Sequence, residues 1–86
     1  MVPQNARVLV VDDSISIVES LSKVLHVSGY ETDPAYNGRE ALKKLNENTY
    51  DIIICDIEMP GMTGLDLLRH VRNEFGDDIA LSLIHI

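Results

Sequence analysis

The chain has 86 residues, which is room for one domain. It is 45% hydrophobic and 24% charged, so it can bury a core and is not a disordered polar chain. A formal net charge of −7 argues against a protein that grips a phosphate backbone through a basic patch, and no apolar run approaches the roughly 20 residues of a membrane helix.

In chain order, the opening MVPQNAR lacks the apolar stretch of a secretory signal, which points to a cytoplasmic protein. Arg7–Val11 reads as a strand with apolar residues on both faces, as in a parallel sheet covered by helices. Ile15, Val18, Leu21, Val24 and Leu25 recur at helical spacing, with Ser14 placed to cap the helix and Gly29 to end it in a left-handed turn. YETDPAY is a weaker strand, and Pro34 assigns it to a sheet edge. NGREALKKLNEN follows with helical periodicity, so Asn37-Gly38 opens a helix rather than a hairpin. DIIIC is a third strand, apolar on both faces. EMPGMTG is a loop. Leu65, Leu68, Val71 and Phe75 mark a third helix closed by Gly76, and IALSLIHI is strand-like. The alternation β-α-β-α-β-α-β predicts a parallel sheet with helices on both faces.

Chemistry gathers where the strands end. Ligands of open α/β sheets bind beyond the carboxyl ends of the strands. Asp12 and Asp13 lie just past the first strand and Asp56 at the end of the third. If those strands are neighbours, three carboxylates meet. No GxGxxG or GxxxxGK[ST] follows the first strand, so the pocket is not built to cradle a nucleotide. Clustered carboxylates suit a hard divalent cation, and magnesium is the expected ion because it keeps room for water and a phosphoryl oxygen. A carboxylate beside it can attack phosphorus and form an acyl phosphate. Other polar residues have plainer readings. His26 and His70 sit on helices as surface or boundary residues, Asp51 begins a strand, Asp66 is a solvated helix position, Met59 and Met62 pack the loop, and Cys55 is a small core residue.

The stretches VLVVDDS and DIIICDIEMPGMTGLDLL resemble the signature of the response-regulator receiver domain of two-component signalling, from about Arg7 to Ala80. The resemblance implies a flavodoxin-like three-layer fold with strand order 2-1-3-4. It implies Asp56 as the phosphoacceptor, Asp13 as a direct metal ligand, Asp12 as a ligand through water, and the Glu58 backbone carbonyl as a further ligand, with magnesium as the ion. Implied partners are a histidine kinase or histidine phosphotransfer protein and an output domain of unspecified kind, with no nucleic acid and no membrane bound by this segment. The implied activity is that of a switch that catalyses its own aspartyl phosphorylation and dephosphorylation rather than a metabolic enzyme.

The chain departs from that family at its end. The family has five strand-helix units, and here there are three and one strand, so the fold is expected to be incomplete. Its switch Thr or Ser should fall at Ile84. Ser82 is two residues too early, and none of Lys23, Lys43 and Lys44 matches the family's lysine after strand five. LSLIHI can be back-translated as CTG TCT CTT ATA CAC ATC, which resembles a transposon sequencing adapter. Residues 1–80 are therefore read as the front of a receiver domain and 81–86 as a non-native tail. A last helix covering about 500 Å² of apolar surface would contribute up to about 12 kcal/mol, so without it the chain is expected to be marginally folded. Three other readings remain: a receiver-like interaction module without phosphorylation, an inactive fragment, and a haloacid-dehalogenase-type phosphatase. The last needs D-x-D after strand one, whereas Asp12 and Asp13 are adjacent.

Overall fold

The computed structural model describes residues 6–56, 64–76 and 79–84. The elements are β1 (Arg7–Val11), α1 (Ile15–Val27), β2 (Glu31–Ala35), α2 (Gly38–Glu47), β3 (Ile52–Asp56), α3 (Gly64–Phe75) and β4 (Ala80–Ile84). All three ladders are parallel, and the strand order is β2-β1-β3-β4. This is the expected incomplete flavodoxin-like sheet.

Strand β1 lies inside the sheet and is buried on both faces. Val8 and Val10 pack with Val18 of α1, flanked by the half-buried Leu21 and Leu25. Leu9 and Val11 pack on the other face with Ala41 and Leu45 of α2 and Leu67 and Val71 of α3. Each fully buried aliphatic side chain of this kind contributes about 1.5–3 kcal/mol. The double-sided apolar run of the sequence is therefore the physical signature of a strand with helices above and below.

Local chemistry fixes where the helices start and stop. Ser14 Oγ accepts the Ile17 N–H at 3.4 Å and caps α1. Gly29 follows with φ 99°, a left-handed conformation that glycine adopts without strain. At α2, Asn37 Oδ1 accepts the Glu40 N–H at 2.8 Å and Glu40 Oε1 accepts the Tyr36 N–H at 2.8 Å. These two bonds, a variant of the capping box in which Glu40 reaches the residue before the cap, explain why Asn37-Gly38 opens a helix instead of a hairpin. At the edge, Glu31 N–H donates to Ala6 O and Asp12 N–H donates to Ala35 O, each at 3.1 Å. Residues 31, 33 and 35 thus point their amides and carbonyls at β1, and Pro34 lacks its N–H on the outer side, where no ladder needs one.

The amino ends of the strands carry a polar cluster that the sequence reading missed. Arg7 Nη2 meets Asp33 Oδ2 at 2.9 Å, and the Tyr50 hydroxyl donates to the same oxygen at 2.7 Å. The Arg7 guanidinium lies 5.3 Å from the centre of the Tyr50 ring. The Arg7 N–H donates to Asp51 Oδ2 and the Asp51 N–H to the Arg7 carbonyl, both at 2.9 Å. No spacing rule links residues 7, 33, 50 and 51. Only the register of three adjacent strands brings them together.

Candidate functional site

The register of β1 against β3 pairs Val11 with Cys55, so both strands deliver their next residues at the same level. Those residues are Asp12 and Asp56, and Asp13 follows. One carboxylate oxygen from each of Asp12, Asp13 and Asp56 lies within 4.8 Å of the other two. Asp12 is 1% exposed and Asp56 9%, while Asp13 is open to solvent. The three acids expected to meet do meet.

Asp12 is held in a particular pose. Its Oδ1 accepts the Ser14 N–H at 2.9 Å, just before the α1 cap. Its Oδ2 is buried without a hydrogen-bond partner. Burial raises the Asp12 pKa above 3.8, the Ser14 N–H opposes that rise, and the nearby charges of Asp56 and Asp13 add to it. One oxygen therefore braces the turn that leads into α1, and the other is left over. A buried unpaired acceptor costs about 1–3 kcal/mol, and more when charged. Three clustered carboxylates with a spare buried oxygen fit a hard divalent cation with oxygen ligands.

A soft ligand is not offered beside them. Cys55 is buried, and its thiol donates to the Asp56 carbonyl at 3.2 Å. Burial pushes its pKa up to about 12, with the charges of Asp56 and Asp12 adding to the effect. The thiol stays protonated at neutral pH, so the donor set is oxygen.

The remaining sequence candidates fall elsewhere. Glu58, Met59, Pro60 and Met62 lie outside the described residues. Asp51 lies at the opposite end of the sheet, one residue before β3 rather than in it, and its carboxylate accepts the Arg7 N–H. His26 is exposed on α1, His70 is half-buried on α3, and Asp66 is exposed in the first turn of α3. In the β3–β4 ladder Asp56 pairs with Ile84, and Ser82 pairs with Ile54. The aliphatic Ile84 thus stands level with Asp56, where the resemblance places a hydroxyl.

Fold and site together define a class: a parallel, doubly covered α/β sheet with an acidic cation-type pocket at the carboxyl ends of two inner strands. Comparisons with known proteins narrow it. The family described as "Response regulator receiver domain" matches residues 8–84. A transcriptional regulatory protein CpxR homolog of Haemophilus influenzae is 40% identical over 67 residues, covering 78% of this chain and 29% of that protein. The response regulator MprA of Mycolicibacterium vanbaalenii is 37% identical over 78 residues, covering 91% of this chain and 33% of its own length. Among solved structures, the chemotaxis response regulator CheY4 of Vibrio cholerae has TM-score 0.85 and 41% identity, with 92% of this chain and 67% of that chain covered. The response regulator TrrA of Thermotoga maritima, solved in complex with Mg2+-BeF, has TM-score 0.82 and 45% identity, covering 93% and 67%. The chain belongs to the response-regulator receiver-domain family. It spans about a third of the length of the curated relatives it matches.

Proposed function

We propose that this chain accepts a phosphoryl group on Asp56, from a phosphohistidine of a histidine kinase or histidine phosphotransfer protein, in a magnesium-dependent reaction. An Asp56 carboxylate oxygen attacks phosphorus, the phosphorus–nitrogen bond of the donor breaks, and the imidazole keeps the electron pair. Attack by water on the resulting acyl phosphate returns Asp56 and releases inorganic phosphate. Asp13 and Asp56 would hold magnesium directly, Asp12 through a water, and Glu58 through its backbone carbonyl. The ion would offset negative charge on the transferring group. Asp12 contributes a fixed buried negative charge, posed by the Ser14 amide, beside the reacting carboxylate. The observation that carries the reading is the meeting of three carboxylate oxygens within 4.8 Å, with the Asp12 Oδ2 buried and without a hydrogen-bond partner.

The domain then acts as a switch. New charge at Asp56 shifts the population toward a state that favours an output surface. A cytoplasmic place suits a partner of a histidine kinase, and no helix among the described residues is long and apolar enough to cross a membrane. The test is phosphotransfer from labelled, autophosphorylated histidine kinases, with magnesium and with a chelator. Label is expected on the wild-type chain only with magnesium and never on Asp56→Asn. Transfer to Asp56→Asn contradicts the proposal. Partner binding that survives Asp56→Asn unchanged favours the interaction module instead. The non-native origin of residues 81–86 remains a proposal on the back-translation alone, and coding DNA that differs from the adapter string refutes it.

A further inference from the structure

The polar cluster at the amino end of the sheet has no part in that chemistry, yet Arg7 begins the strand that leads to Asp12 and Asp13, and Tyr50 and Asp51 lead into the strand that ends in Asp56. We infer that Arg7 is a positioning residue: it fixes the register of β1 against β3 and thereby the approach of Asp12 and Asp13 to Asp56. The inference rests on the metal reading above.

Register is normally chosen by alternation of apolar and polar residues, because a slip of one residue turns the wrong set toward the core. Here that guide is missing. Val8–Val11 and Ile52–Cys55 are apolar at every position, so a slip exchanges apolar for apolar. A slip would nevertheless move one strand end by about 3.3 Å. That is most of the 4.8 Å span within which the three carboxylate oxygens now meet.

The carboxyl end cannot hold the register by itself in the absence of a cation, because the acids there repel one another. The amino end can. The Arg7 main chain donates to the Asp51 carboxylate and accepts the Asp51 N–H at the entrance to β3, bonds that any residue there could make, and the Arg7 side chain adds the contact over Tyr50 and the Nη2 bond to Asp33 in β2. Tyr50 closes the loop by donating to the same Asp33 oxygen. Any axial slide of β1 breaks contacts to both neighbours at once. Five-residue strands are stiff, so an offset at one end arrives at the other.

The experiment measures magnesium affinity by calorimetry on the folded 86-residue chain and its variants. Arg7→Met keeps the apolar stem and removes the guanidinium, and it is expected to bind magnesium about threefold more weakly or worse. Arg7→Lys keeps the charge without the fork and should recover part of the loss. Asn37→Ala removes the α2 cap, lowers stability without touching the cluster and should keep wild-type affinity once each affinity is corrected for the folded fraction. Arg7→Met with wild-type affinity but a lower melting temperature overturns the inference, and so does an equal loss of corrected affinity in Asn37→Ala. A wild-type chain that binds no magnesium overturns the metal reading instead. The register then remains testable from cross-strand nuclear Overhauser contacts. Wild type should show one set with Val8 opposite Ile52, and Arg7→Met should add a second. One unchanged set in Arg7→Met overturns the inference.

Discussion

Replacing Asp12 with asparagine should make the metal-free domain more stable while removing its response to magnesium. The amide keeps the oxygen that takes the Ser14 N–H and puts an NH2 donor where Oδ2 now lies buried without a partner. Two unit negative charges at the 4.8 Å limit of the cluster repel by about 3.5 kcal/mol at an effective dielectric of 20 and about 0.9 kcal/mol in bulk water. Asp12 has two such neighbours, one of them solvent-exposed, so the relief should be about 1–3 kcal/mol. For a domain of this size each kcal/mol moves the melting temperature by about 4–8 °C. Wild type should instead gain about 2.7 kcal/mol when magnesium reaches a hundred times its dissociation constant. The sign with pH follows from the raised Asp12 pKa. As pH falls toward 3.8 the native state takes up its proton before the unfolded chain does, wild type gains stability, and the gap to Asp12→Asn closes. Thermal unfolding of both chains with and without magnesium, at two pH values, measures all of this. A metal-free Asp12→Asn that melts below wild type refutes the electrostatic account of the site.

Asn37→Ala removes the oxygen that caps α2 and should cost about 1 kcal/mol by denaturant unfolding. The Cys55 thiol, 2% exposed, should react with iodoacetamide only as the domain unfolds, so magnesium should slow its alkylation and Asp12→Asn should abolish that protection. On the α1 face, Ile52 and Ile54 are only partly buried and Val24 is 64% exposed, so the isolated chain should melt broadly at low temperature in dilute solution. A sharp, cooperative melt contradicts that expectation.

The order of elements was legible because each has a local cause that leaves a mark in the sequence. Ser14, Asn37, Gly29 and Gly76 stand at helix ends for reasons of hydrogen bonding and φ, and Pro34 marks an edge because it lacks a donor. The three acids were legible jointly, because an acidic pair after one apolar strand, an Asp ending another and the MPGMTG loop occur together. The Arg7 cluster was not legible. Its members lie far apart in sequence and belong to strand ends and a loop, where no periodicity applies, and only the assembled register makes them neighbours. Asp12 shows a third case. Its two oxygens divide the work, one spent on the Ser14 N–H and one left for an ion, a split that no sequence pattern marks.

The measurement that bears most directly on the account is incorporation of label from radioactive acetyl phosphate into the chain and into Asp56→Asn, each with magnesium and with a chelator. The account predicts label in the wild-type chain with magnesium and in none of the other three samples. Label that survives the chelator, label on Asp56→Asn, or no label on the folded wild-type chain with magnesium contradicts it.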